Sequence, residues 1–289
     1  MSTVVVACCQ VAPVIGERAV NLEIIASAVQ GAAALGSNVV VLPELATSGY
    51  LFADRDEARA NAEPADGPAL TLWRQLAADH QLIIVGGFCE LDADGDLRNS
   101  AAIVDKSGLR AVYRKAHLWD AERLIFKAGD APPPVVETEF GRVSTMICYD
   151  LEFPEWVRLP ALSGAQLLCA PVNWPASPRP DGERPAEVIR VQADAAVNRM
   201  FIAACDRVGS ERGVEWVGGS VVVDADGWPL AGAQASTEAM TISALCRLED
   251  ASDKAIGGLS DTHADRRPEL YGPVAERLLE TPPVSRSRV

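Results

Sequence analysis

Three strand-like runs in this chain each end on a side chain that can do chemistry. Residues 39–42 lead into Pro43-Glu44-Leu45, residues 111–114 into Lys115-Ala116-His117-Leu118-Trp119, and residues 143–147 into Cys148-Tyr149-Asp150-Leu151-Glu152-Phe153-Pro154-Glu155. A thiol with its reference pKa of about 8.5 is only a few per cent ionised at neutral pH, so a nucleophilic cysteine needs a base or a cationic neighbour. Glutamate supplies the first and lysine the second. Taken singly, each residue has a plainer reading: a strand-end cysteine is most often a packed thiol, and most glutamates and lysines are solvated surface. Convergence would change that, because several strand ends can meet at one edge of a layered α/β protein.

The elements that would bring them together can be read from the periodicity. Residues 3–9 read as a strand, 19–35 as a helix closed by Gly36, and 39–42 as the next strand, a β-α-β opening. A helix is expected over 70–79, with strands at 82–89 and 100–104 around the turn-rich Asp92-Ala93-Asp94-Gly95. Further strands are expected at 110–114, 142–147, 166–170, 201–205, 220–223 and 241–245, and a helix at 185–198 opening on Pro185. Alternation early, then strand pairs joined by turns such as Asp224-Ala225-Asp226-Gly227, implies a mixed sheet or two sheets covered by helices. With no internal repeat and no long linker, a single domain over residues 1–280 is expected, followed by a flexible tail, 281–289.

Composition narrows the function class. The 289 residues are 48% hydrophobic, with a mean hydropathy of +0.08, enough to bury a large core. The apolar runs stop well short of the roughly 20 residues that cross a bilayer, and no secretory signal is evident, so no membrane partner and a cytoplasmic location are expected. A formal charge of −14 with scattered Lys and Arg argues against nucleic acid. Seven cysteines without a CxxC pair resemble reduced core thiols rather than disulfides or a zinc site. His80, His117 and His263 lack metal-ligand spacing, and no metal is expected. A G-x-S-x-G elbow and a G-x-G-x-x-G fingerprint are both missing, which disfavours a serine hydrolase and a dinucleotide enzyme.

The segments Leu42-Pro43-Glu44-Leu45, Tyr113-Arg114-Lys115-Ala116-His117-Leu118 and Ile147-Cys148 through Glu155 resemble, in order, the three catalytic motifs of the nitrilase (carbon-nitrogen hydrolase) superfamily. The likeness runs from Val6-Ala7-Cys8-Cys9-Gln10, through Gly218-Gly219-Ser220 with Asp224, to Arg266-Arg267-Pro268-Glu269-Leu270-Tyr271. It implies a four-layer α-β-β-α sandwich. It also implies that Glu44 is the general base, Cys148 the nucleophile and Lys115 the cation for the oxyanion, with the Tyr149 backbone N–H as second donor. Glu122, ahead of Phe126 and Gly129, resembles a further family glutamate that orients Lys115 or the substrate nitrogen; its plainer reading is a solvated loop carboxylate. No metal or organic cofactor is required by this chemistry.

The implied substrate is a small amide, since Cys148-Tyr149-Asp150 resembles the amidase and carbamoylase branches rather than true nitrilases. N-carbamoyl amine or amino-acid hydrolysis and nitrile hydrolysis are the alternatives, and a catalytically silent metabolite or partner binder is the non-enzymatic one. Glu152 stands where many amidase-like relatives have Arg. Asn173 and Trp174 are expected to line the pocket, and Trp119 has the same two readings, wall or hydrophobic cap. A carboxylate substrate would need a cation, for which Arg179, Arg184 and Arg190 are candidates. Relatives commonly pair through the helices on the nucleophile side, so a homo-oligomer is expected.

Overall fold

The structure, a computed structural model, describes residues 3–275; the expected tail at 281–289 lies outside them. The chain divides into two compact units at Asp253/Lys254. The expected single domain, 1–280, therefore spans both units and runs past the described residues. In the second unit, two short strands, Ala255–Gly257 and Ser260–Asp261, pair antiparallel, and a turn of helix follows at Gly272–Ala275.

The first unit carries everything that bears on the site. Its strands are β1 (Val4–Gln10), β2 (Val39–Val41), β3 (Ile83–Leu91), β4 (Leu97–Asp105), β5 (Gly108–Arg114), β6 (Val135–Thr138), β7 (Gly141–Thr145), β8 (Leu167–Pro171), β9 (Phe201–Cys205), β10 (Ser210–Glu211), β11 (Val214–Glu215), β12 (Val221–Val223), β13 (Pro229–Gly232) and β14 (Met240–Cys246). The helices are α1 (Arg18–Ala34), α2 (Arg55–Asn61), α3 (Pro68–His80), α4 (Glu122–Ile125), α5 (Pro154–Leu162) and α6 (Ala186–Asn198). One six-stranded sheet runs β14-β1-β2-β3-β4-β5 and the other β13-β12-β9-β8-β7-β6. Each has three parallel strands at its centre and antiparallel strands outside them.

Strand alternation stacks these into four layers. In β1, Ala7 and Cys9 face a layer with Ile25 and Val29 of α1 and Trp73 of α3, whereas Val6 and Cys8 face Leu167, Cys169 and Phe201 of the other sheet. The other face of that second sheet, Leu168, Ala170, Ile202 and Ala204, is covered by Val157 and Ala161 of α5 and Val188 and Val191 of α6. Successive side chains of a strand point to opposite faces, so a strand buried on both reads as a continuous apolar run such as Val39-Val40-Val41. Burying each such aliphatic side chain contributes about 1.5–3 kcal/mol. The expected α-β-β-α sandwich is the observed fold.

Strand β3 passes so close to the Glu44 turn that only glycine fits at position 87. A Cβ there would lie 2.5 Å from the Leu45 nitrogen and 2.6 Å from the Glu44 Cα. In exchange Gly87 bonds the turn on both sides, its N–H donating to Pro43 O at 3.0 Å and its carbonyl accepting from the Ala46 N–H at 2.9 Å.

Helix α6 buries an acid, Asp194, with one carboxylate oxygen unpartnered. Burial pushes its pKa up to about 7 despite Arg190 and Arg158 nearby. A carboxyl raised in the fold is bound to its proton more tightly there than in the unfolded chain, so its contribution is full at low pH and is lost as pH rises through about 7. Asp194→Asn removes that dependence. Its melting temperature is expected to exceed the wild type's by a margin that widens from pH 5 to pH 8, reaching about 1–3 kcal/mol of stability; thermal melts across that range check it.

Candidate active site

The two sheets meet at one edge through their strand-end loops. The Glu44 N–H donates to Val172 O at 3.5 Å, and Asn173 Nδ2 donates to the Glu44 carbonyl at 2.9 Å. Glu44, Lys115 and Glu122 form a closed cluster just behind this seam. Lys115 Nζ lies 2.7 Å from Glu44 Oε1 and 2.7 Å from Glu122 Oε1. Asn99 on β4 donates from Nδ2 to Glu44 Oε1 at 2.7 Å, and the Tyr50 hydroxyl donates to Glu122 Oε1 at 2.6 Å. The Trp119 N–H donates to Glu122 Oε2 at 2.9 Å. All three ionisable side chains are buried, Glu122 included, so its carboxylate is no solvated loop group.

One ammonium faces two carboxylates here, a formal excess of one negative charge in a buried site. Burial raises Glu44 to about 7, offset in part by Lys115 and reinforced by Glu122. For Lys115, burial alone would lower the pKa, but Glu122 and Glu44 outweigh it and hold the ammonium protonated. Glu44 Oε2 is buried and has no hydrogen-bond partner. One oxygen of this carboxylate is thus committed to Lys115 and Asn99, and the other is available to accept a proton.

Cys148 sits at the head of a tight helical turn, Cys148–Glu152, that follows β7, with its backbone at φ +46°. A left-handed conformation at a non-glycine residue costs about 1–2 kcal/mol, and its surroundings must hold it. Asp150, fully buried, is central to that hold. It accepts the Ile147 N–H at 3.1 Å, the Tyr113 hydroxyl at 2.8 Å and the His117 N–H at 3.0 Å, and it lies 2.7 Å from His117 Nδ1. It therefore ties the loop after β5, which carries Lys115, to the turn that carries Cys148. His117 also stacks on Phe153, with ring centroids 3.8 Å apart. Of the seven cysteines six are buried, and Cys148 alone is partly exposed. Its Sγ lies 3.8 Å from Asn173 O. Burial and the negative charge of Glu44 push its thiol well above the usual range, although Lys115 pulls the other way.

A cavity of about 240 Å³ opens on Cys148 and is walled by Tyr149, Trp119, Asn173, Trp174 and Tyr50. The four residues that the sequence nominated for substrate contact thus share one cavity with the thiol. None of Arg179, Arg184 and Arg190 lines it. Sequence reasoning missed Tyr50, Asn99, Asp150, Asp206 and Glu211. Asp206 fixes the Asn173–Trp174 loop by accepting the N–H groups of Trp174, Arg207 and Gly219 at 3.0, 2.9 and 2.9 Å; burial raises it to about 7 even so. Glu211 holds the Tyr50 loop, accepting the Tyr50 and Leu51 N–H groups at 2.9 and 2.6 Å, and is itself held by Arg207 at 2.8 Å. Asn99 had a signal, the polar run Arg98-Asn99-Ser100 inside a buried strand. Among the described residues no group of three or more His, Cys, Asp or Glu side chains is arranged to hold a metal ion, and no helix is long and apolar enough to cross a membrane.

The sequence model described as "Carbon-nitrogen hydrolase" matches residues 5–254. A nitrilase from Pyrococcus abyssi is 35% identical over 269 residues, covering 92% of this chain and 98% of that one. The solved carbon-nitrogen hydrolase from Helicobacter pylori superposes with a TM-score of 0.85 at 26% identity, covering 96% of this chain and 99% of that one. A variant of the amidase from Nesterenkonia sp., solved after Michael addition of acrylamide at its active-site cysteine, gives a TM-score of 0.73 at 26% identity over 93% of this chain and 98% of that one. Sequence and fold agree over nearly the whole length: this chain belongs to the carbon-nitrogen hydrolase family of the nitrilase superfamily and is a hydrolase acting on C–N bonds.

Proposed function

We propose that the protein hydrolyses a small amide to the acid and ammonia through a thioester on Cys148. The observation that carries this reading is the buried Glu44–Lys115–Glu122 cluster abutting Cys148, the one partly exposed cysteine, which opens on a cavity. Cys148 Sγ attacks the amide carbon while its proton passes to Glu44 Oε2, the oxygen left unengaged. The oxyanion that forms is stabilised by Lys115 Nζ and the Tyr149 backbone N–H. Glu44 returns the proton to the departing nitrogen, and the C–N bond breaks. Water then gives a proton to the same carboxylate as it attacks the thioester, and the thiol leaves protonated. Glu122 holds Lys115 and the 119–122 loop in place.

Ammonia release from short amides, N-carbamoyl amines and nitriles tests the reading, together with hydroxylamine, which converts a thioester to a hydroxamate and frees the thiol. Amide turnover with hydroxamate formation is expected. Turnover of nitriles alone, or amide turnover without hydroxamate, would overturn it. All seven cysteines are free, which supports a cytoplasmic, reducing setting. Leu159 and Leu162 of α5 and Ile189 and Val197 of α6 are exposed, which supports a homo-oligomer; light scattering in solution checks that.

The same scheme assigns Asp150 a positioning role. Asp150→Asn keeps the shape but replaces an acceptor oxygen with a donor that faces N–H and O–H groups. A misplacement of about 1 Å at the reacting atoms costs about 10²-fold. The variant is expected to lose about that in kcat with little change in KM, while far-UV circular dichroism stays native.

A further inference from the structure

The charged lining of the cavity is one-sided. Glu152 and Glu187 line it and no lysine or arginine does, while Trp119, Tyr149 and Trp174 supply aromatic walls. Of the three candidate arginines, Arg190 Nη1 pairs with the cavity's own Glu152 Oε1 at 2.8 Å, Arg184 Nη1 donates to Gln192 Oε1 at 2.7 Å, and Arg179 is exposed and does not line the cavity. Arg190 offsets Glu152, which leaves Glu187, half-buried in the first turn of α6, to set the local charge.

A second feature points the same way. The Asn173 side chain is 1% exposed and lines the cavity, and its Oδ1 has no hydrogen-bond partner. Its nitrogen is turned to the Glu44 carbonyl, which leaves the oxygen as an unused acceptor in a residue of the cavity wall. The cavity therefore presents acceptors and aromatic faces, a combination that suits N–H donors and cations. A ligand carboxylate would sit beside Glu187 with no cation to pair it, and like-charge contact of that kind rejects a competitor. The chain's formal charge of −14 adds a field that draws cations in. At about 240 Å³ the cavity falls below the roughly 300–1,000 Å³ of drug-sized pockets, so the ligand is small.

We propose that this cavity selects small amides or carbamoyl compounds whose far end carries a cationic amine, held by Glu187 between the aromatic walls, and turns away those that end in a carboxylate. This rests on the amidase reading of the same site. The test uses three amides of equal chain length ending in ammonium, methyl or carboxylate. Their kcat/KM values are compared in the wild type, and their affinities are measured by calorimetry on Cys148→Ala, which needs no turnover. The ammonium amide is expected to lead the carboxylate amide by at least about tenfold in both, with the difference in KM. Glu187→Gln should shrink that ratio and Glu187→Lys should invert it. Equal or stronger binding of the carboxylate amide to Cys148→Ala would overturn the proposal. Preferential binding of the ammonium amide with no turnover of any amide would sink the hydrolytic reading and leave the charge selection standing.

Discussion

Cys148→Ala is expected to bring amide turnover down to background, a loss of about 10⁴-fold or more, while the protein melts as the wild type does. Alanine keeps the Cβ and tolerates the φ of +46° no worse than cysteine, so the turn after β7 is not disturbed. The effect is large because alanine leaves no thiol beside the Glu44–Lys115–Glu122 cluster to form the acyl intermediate. Thiol alkylation reads the same residue independently of substrate. Six cysteines are buried and closed to a reagent, whereas Cys148 is partly exposed on the cavity and has Glu44 beside it as a base. One fast-reacting thiol is expected with iodoacetamide in the native protein, and none in Cys148→Ala. Two or more fast thiols, or turnover above a tenth of wild type in the variant, would remove Cys148 from the mechanism.

Glu44→Gln is expected to lower kcat/KM by about 10²–10⁴-fold and to change the shape of its pH dependence. In the wild type the base must be ionised, and burial puts Glu44 at about 7, so activity should rise as pH climbs through that value and fall away below it. Glutamine keeps Oε1 for Lys115 and Asn99 but loses both the acceptor and the charge, so the acid limb near 7 should vanish. Stability should move the opposite way. A carboxyl whose folded pKa is raised contributes fully at low pH and loses that contribution as pH rises through about 7, so at pH 8 the variant should melt no lower than the wild type. Removing one partner of a buried pair usually costs several kcal/mol; here Lys115 keeps Glu122 at 2.7 Å. An acid limb that persists unchanged in Glu44→Gln would assign the base to another group.

Much of this was legible in the sequence because the four-layer sandwich buries most strands on both faces. Runs such as Val39–Val41 and Phe201–Cys205 announce themselves, and the expected strand at 201–205 coincides with the observed one. Edge elements were harder. Strands β6 and β13 are short and half-exposed, so neither a continuous apolar run nor a clean alternation marks them. Helix α2 was missed although Asp54 caps it by accepting the Glu57 N–H at 2.9 Å, a local cue without an apolar stripe behind it. In the site, Glu44, Lys115 and Cys148 stood out by motif, and Glu122 by its spacing from Phe126 and Gly129. Tyr50, Asp150 and Glu211 did not, because what they do depends on partners 72, 37 and 161 residues away. Their roles are properties of the assembled sandwich: Asp150 lies within the Cys148-Tyr149-Asp150 motif, but its ties to Tyr113 and His117 do not follow from it.

The cluster draws Glu44 and Lys115 from loops of one sheet and Cys148 and Asn173 from loops of the other. On the proposed mechanism neither half holds a working subset, and a partly unfolded molecule whose sheets have come apart is expected to lose activity even if strands within each sheet persist. Catalysis in this chain is a gauge of sheet docking: as denaturant is raised, inactivation should track the separation of the two sheets even where the circular dichroism of their strands lags behind.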